Sequence, residues 1–194
     1  MAVQSLSTIP ERFLECQVID SAGEAKSIGE LTHQRTTLLL FMRHFGCIGC
    51  AEHVAKLAPR FIELDQLGVR IVMIGCGSPR FIEPFIERQR LVGEPVEVFT
   101  DESLNAQRQA GLMYGRWGGF GPRGLFEQAR AFVRGHVPGD VEGDAKQQAG
   151  ALLVDAQGIV RLYHQSRSLG DHVDHVRLVD AALSVCLNAN PELI

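Results

Sequence analysis

The stretch from Thr36 to Gly75 leaves this chain few folds to choose from. Thr36 to Met42 is a short apolar run between turn-prone and polar residues, which suits a strand buried on both faces and ending at Arg43. From Cys47 onward, Val54, Leu57, Ala58, Phe61, Ile62 and Leu64 recur at helical intervals as far as Leu67. Pro59 marks a kink or a split, and Gly68 stands where the helix stops. Val69 to Gly75 is a second apolar run, so the unit reads strand, helix, strand, with parallel strands and a right-handed crossover.

The elements that follow complete the pattern. Ser78 as N-cap and Pro79 at the first helical position open a helix over Phe81 to Arg90, and Val96 to Phe99 reads as a short strand. Ser103 to Ala110 predicts a helix ended by Gly111. Ala151 to Val154 and Ile159 to Tyr163 flank Asp155-Ala156-Gln157-Gly158, a hairpin signal that predicts an antiparallel pair. Asp171 is expected to cap a last helix whose buried stripe is Val173, Val176, Leu178, Val179, Ala182, Leu183 and Cys186. This order is that of an α/β fold, a thioredoxin-like three-layer sandwich with a central mixed sheet and helices on both faces. At 194 residues the expectation is one such domain, interrupted by a glycine-rich insertion around 111–148. Within it, Gly111 to Gly124 holds six glycines together with Tyr114, Trp117 and Phe120, a substrate wall or an interaction patch, or a loop folded back on the body.

Composition narrows the function classes. Nineteen basic and 23 acidic residues give a net charge of -4 with neither sign gathered into a block, which argues against a nucleic-acid partner. The longest aliphatic stretch is far short of the roughly 20 residues that span a bilayer, and Met1 to Arg12 lacks the pattern of an export signal. A cytoplasmic protein with no membrane partner is expected. Five scattered cysteines, Cys16, Cys47, Cys50, Cys76 and Cys186, fit that compartment and do not form a disulfide framework.

Cys47 and Cys50 fall where the first parallel strand gives way to its helix, at the carboxyl edge of the sheet where open α/β folds place their sites. Two cysteines three apart in a first helical turn lie with Cα atoms about 5 to 6 Å apart, close enough for a disulfide to close and reopen. Free amides at a helix start favour the thiolate, which is the attacking species. Arg43 and His44 are expected to add positive potential, and the pair is expected to be presented at the protein's mouth.

Competing readings are weaker. Zinc wants a second closely spaced Cys or His pair, and His172-x-x-His175 lies far along the chain at a helix start, where it reads as a solvated first turn. Gly75-Cys76-Gly77 follows a strand, but Arg80 stands where a dinucleotide fingerprint needs glycine, and no phosphate-loop motif occurs. Neither a metal nor an organic cofactor is therefore expected. Cys76 should reach the same sheet edge as Cys47, as a backup resolving thiol or a packed strand-end thiol, whereas Cys16 and Cys186 read as core.

Phe41-Met42-Arg43-His44-Phe45-Gly46-Cys47-Ile48-Gly49-Cys50, Ile82-Glu83-Pro84-Phe85, and Gly150 to Gly158 resemble the peroxiredoxin-like branch of the alkyl hydroperoxide reductase and thiol-specific antioxidant proteins. The resemblance runs from about Glu15 to Val185. It implies a thioredoxin-like fold and a thiol oxidoreductase centred on Cys47 and Cys50, with a small peroxide or a protein disulfide as substrate and a thioredoxin- or glutathione-type reductant. A homodimer is compatible with it. Peroxiredoxins carry Pro-x-x-x-Thr-x-x-Cys at the peroxidatic cysteine. Here the matching positions are Arg43 and Cys47 if Cys50 takes that role, and Leu40 and His44 if Cys47 does. Ala149 stands where the distant Arg is expected, so Arg43 or helix amides must serve instead. Thioredoxin analogy makes the outer Cys47 the nucleophile, and peroxiredoxin analogy makes it Cys50. The alternative is a thioredoxin-fold binding or accessory module that keeps the pair as a redox switch, with the Gly111 to Gly124 loop as its contact surface.

Overall fold

The computed structural model describes residues 7–115, 143–168 and 171–189. Most of the glycine-rich insertion expected around 111–148, including Trp117 and Phe120, lies outside the described residues. The order of elements is α1 (Glu11–Leu14), β1 (Gln17–Ile19), β2 (Ala25–Ser27), α2 (Ile28–Thr32), β3 (Thr37–Phe41), α3 (Ile48–Leu57), α4 (Phe61–Gln66), β4 (Arg70–Gly75) and α5 (Ile82–Arg88). β5 (Val96–Thr100), α6 (Asn105–Gln109), β6 (Gly150–Val154), β7 (Val160–Gln165) and α7 (His175–Ala189) follow. Among the described residues the strands form one seven-stranded sheet in the order β2-β1-β5-β4-β3-β6-β7.

The strand-helix-strand unit forms as its periodicity dictates. β3 and β4 pair in parallel from Thr37 opposite Arg70 to Phe41 opposite Ile74, and β5 extends the parallel block on the far side of β4. β6 runs antiparallel to β3, and β7 antiparallel to β6, which makes the sheet mixed. Along β3 the side chains alternate between two cores. Leu38 and Leu40 face a layer filled by Val54, Leu57, Phe61, Leu64, Phe85 and Leu178 from α3, α4, α5 and α7. Leu39 and Phe41 face a second layer filled by Phe13, Ile28, Leu31 and Ala106 from α1, α2 and α6. Helices thus cover both faces of a mixed sheet, the expected thioredoxin-like architecture.

Pro59 splits the crossover helix. It sits in a 3-10 turn, Ala58–Arg60, between α3 and α4, because its ring removes one backbone donor and crowds the preceding turn. Three expectations need correction. Val176, expected in the buried stripe of the last helix, is 55 % exposed. The last helix starts at His175, not near Asp171. Its first amides, those of Val176 and Arg177, donate to Asp174 Oδ1, while Asp171 accepts from the Arg167 amide and faces His164. Ser78 makes no side-chain cap, and Pro79 opens a 3-10 turn, Pro79–Phe81, ahead of α5.

One contact fixes how the chain leaves the sheet. A Cβ built on Gly75 at the end of β4 would lie 2.5 Å from Phe45 Cζ, because the Phe45 ring packs flat over that glycine and against Phe85 at 5.4 Å between centroids. Gly75→Ala forces the ring off its seat. It is expected to lower stability by about 1 to 3 kcal/mol, read as a lower denaturation midpoint with an unchanged denaturant slope.

Candidate active site

Every residue from Phe41 to Cys50 is buried, so the turn between β3 and α3 is covered although it is irregular backbone. Its polar groups must then find partners within the protein. Met42 N–H donates to the Ile74 carbonyl at 2.9 Å, and Cys47 N–H to the His44 carbonyl at 3.1 Å. The Arg88 guanidinium donates to the Phe45 carbonyl at 3.0 Å. Sulfur meets three more. Arg43 N–H donates to Cys50 Sγ at 3.4 Å, Cys50 N–H to Cys47 Sγ at 3.4 Å, and the Cys76 thiol donates to the Arg43 carbonyl at 2.6 Å.

Cys47 is the N-cap of α3 and its sulfur fills the acceptor role that a Ser or Asp oxygen usually takes. Cys50 lies one turn into the same helix. All five cysteines are free thiols. The expected exposure of the pair is corrected: Cys47 and Cys50 are each only 3 % exposed. The physical reason is the Phe45 wedge, which draws the turn down onto β4 and α5.

The two thiols are electrostatically unequal. Cys47 is pulled down to about 7, chiefly because the Cys50 thiol donates a hydrogen bond to it. Burial opposes this, and Arg43 with the amides of Cys50 and Gly49 reinforces it. Donating that same hydrogen bond, together with burial and the negative charge on Cys47, pushes Cys50 well above its ordinary value. Arg43 is 3 % exposed and its guanidinium donates to the Ala145 carbonyl at 2.7 Å, which holds the cation beneath the 143–147 segment. His44 departs from expectation. Burial and the neighbouring Arg43 lower it to about 4, so it is neutral at pH 7 and adds no positive potential.

Cys76 does reach the same edge. It receives the Asp144 amide at 3.3 Å, and Gly143 (φ 141°) lies so close on the Cys76 carbonyl that a side chain has no room there. Burial, with further contributions from Asp144, Asp101 and Cys47, pushes Cys76 up to about 12 despite the helpful Asp144 amide. Cys76 therefore braces the 143–145 segment with its thiol protonated. Tyr114, half exposed, closes the segment by donating to Asp144 Oδ2 at 2.8 Å.

Sequence reasoning missed the histidines. His53 on α3 stacks on His172 at 4.7 Å with ring planes 12° apart, so His172 is not part of a solvated first turn. The signal that was available is the i, i+3 spacing of Cys50 and His53, which puts both on one helix face.

No helix among the described residues is long and apolar enough to cross a membrane. A family described as AhpC/TSA antioxidant enzyme matches residues 56–168. The chain is 30% identical over 169 residues to a peroxiredoxin-like 2C protein of Bos taurus, covering 81% of this chain and 72% of that one. It is 28% identical over 145 residues to a chloroplastic thioredoxin-like protein of Arabidopsis thaliana, covering 71% and 57%. In fold it is similar to a mutant peroxiredoxin 6 of Arenicola marina, with a TM-score of 0.71 at 8% identity over 97% of this chain and 76% of that one. The family match, the cattle relative and the mixed thioredoxin-like sheet agree: the chain belongs to the AhpC/TSA antioxidant enzyme family.

Proposed function

We propose that the protein is a thiol peroxidase working as a single thioredoxin-like domain, in which Cys47 reduces a small peroxide and Cys50 resolves the product. The observation that carries this reading is the unequal hydrogen-bonded pair, with a sulfur drawn towards its thiolate beside one kept protonated. The Cys47 thiolate attacks the peroxide, the O–O bond breaks, and Cys47 becomes a sulfenic acid while an alcohol or water leaves. Cys50 then attacks that sulfur, expelling water and closing the disulfide. Family membership supports a peroxide substrate and a thiol reductant. Burial favours a small peroxide over a protein disulfide as oxidant, since a peroxide enters where a folded partner cannot.

Roles for the other residues follow from charge. Arg43 and the amides of Gly49 and Cys50 stabilise negative charge on the Cys47 sulfur. His44, neutral, contributes no charge to it. Cysteine usage supports a cytoplasmic placement, although the relative from Arabidopsis thaliana is chloroplastic.

Two experiments test the reading. With a thioredoxin or glutathione recycling system, Cys47→Ser is expected to lower peroxide consumption to background, while Cys50→Ser accumulates a sulfenic acid or mixed disulfide on Cys47. Turnover retained in both single variants overturns the assignment, and no turnover by the native protein favours the accessory-module reading. In the second, the ultraviolet absorbance of the thiolate should titrate near pH 7, disappear in Cys47→Ser, and move to higher pH in Cys50→Ala, which lacks the donor that lowers it. The folded value lies below the ordinary value of 9.0. Stability from this group is therefore fully present above about pH 9 and is lost as pH falls through about 7.

A further inference from the structure

Beside Cys50 lies a small cavity of about 10 Å³ lined among others by Cys50, His53, His164, Ser166 and His172. That volume is about one water molecule. Its walls are polar where they need not be. Ser166 is fully buried, and its hydroxyl has no hydrogen-bond partner among the described residues. His53 lies one turn beyond Cys50 on the same face of α3. Its ring stacks on His172, and both line a larger opening of about 150 Å³ with Glu52, Lys56, Asp174 and His175. Cys50 thus adjoins a chain of imidazoles that ends at solvent.

We propose that His53 is the proton acceptor for the Cys50 thiol when the Cys47–Cys50 disulfide closes and the proton donor when it reopens, acting across this cavity with His172 as its link to solvent. The inference rests on the assignment of Cys50 as the resolving thiol. The need for such a group follows from burial, which keeps the Cys50 thiol protonated even after Cys47 is oxidised and no longer accepts its hydrogen bond, and a thiol attacks poorly. In closure the Cys50 S–H bond and the Cys47 S–O bond break, and an S–S bond and an O–H bond form. The sulfenic sulfur is reduced, the Cys50 sulfur is oxidised, and the proton ends in the water released. His53 begins and ends neutral. Burial, with His172, His164, Lys56 and His175 nearby, holds it down to about 3, so it is a free base across the working range. A thiolate forming at Cys50 offsets that penalty by pairing with the imidazolium.

Charged groups neighbour His53 from α3, β7 and the start of α7. On α3, Glu52 pairs with Lys56 at 2.9 Å. On β7, His164 Nε2 is 3.1 Å from the Asp171 carbonyl oxygen and 3.5 Å from its carboxylate. At the start of α7, the Asp174 carboxylate is engaged by the amides of Val176 and Arg177, and His175 follows it. Each carboxylate is already occupied, which leaves His53 free to respond to Cys50.

The test separates closure from peroxide attack. Oxidised glutathione places a mixed disulfide on Cys47 without peroxide, and release of glutathione by Cys50 then reports closure alone. His53→Phe keeps an aromatic ring for the stack on His172 and removes the nitrogens. It is expected to slow closure about 100-fold, with thiol alkylation at Cys47 unchanged within about twofold. Without a local base the closure rate should rise about tenfold per pH unit between roughly pH 6 and 8, as Cys50 ionises unaided, whereas the native rate stays nearly flat. Should the Phe variant not fold, His53→Gln makes the same comparison. Closure at the native rate with the native pH slope in a folded variant overturns the proposal. Failure of peroxide to oxidise Cys47 while this pH contrast holds would instead overturn the peroxidase reading alone.

Discussion

A buried turn must supply its own hydrogen bonds, and that requirement organises the active edge of this protein. The chain leaves β3 at Phe41 and does not regain solvent before α3, so the amides of Arg43, Cys47 and Cys50 and the carbonyls of Arg43 and Phe45 are met internally. Sulfur meets three of those needs, two as acceptor and one as donor. The cysteines are therefore part of the architecture of the turn as well as its chemistry. A disulfide between Cys47 and Cys50 replaces an S–H···S contact with a bond of about 2.05 Å, yet both sulfurs keep lone pairs for the amides of Arg43 and Cys50. Oxidation costs the turn one hydrogen bond and leaves the rest of the scaffold standing.

The same economy explains the asymmetry of the thiols. One hydrogen bond, from Cys50 to Cys47, favours ionisation of its acceptor and opposes that of its donor. Charge from Arg43 acts on both sulfurs in the same direction, so it sets how acidic the pair is and not which member ionises first. His44 adds nothing to this because a buried imidazole next to a guanidinium stays neutral. The proposed choice of Cys47 over Cys50 as attacking sulfur, on which two analogies divide, rests on this local difference: Cys47 caps the helix and accepts, and Cys50 donates.

What the sequence disclosed follows the strength of the periodic signal. β3, α3, β4 and the β6–β7 hairpin were legible because runs such as Thr37–Phe41 and Arg70–Gly75 are buried on both faces and leave no competing pattern. The hairpin of β1 and β2 was not, since strands of three residues such as Gln17–Ile19 and Ala25–Ser27 carry too few alternations to register. The choice between Asp171 and Asp174 as helix cap turns on a displacement of three residues that propensity does not resolve, as both are good caps. Position of the cysteine pair could be read from the strand-to-helix junction, but its depth could not. Depth depends on Phe45 meeting Gly75, a contact between residues thirty positions apart that no local pattern encodes.

Depth also constrains how the pair is reduced. A thiol reductant must bring its sulfur roughly in line with the S–S bond, and with Cys47 at 3 % exposure no protein thiol reaches that line while the turn stays seated. Three attachments hold it there: the Phe45 ring between Gly75 and Phe85, the Arg88 bond to the Phe45 carbonyl, and the Arg43 bond to the Ala145 carbonyl. The last joins the turn to the 143–147 segment, which Tyr114 and Cys76 tie down in turn. Peroxide attack needs none of these to break, whereas docking a reductant needs the turn to lift. The two halves of the proposed cycle therefore place opposite demands on one segment: closed and desolvated while Cys47 meets peroxide, open when the disulfide meets its reductant.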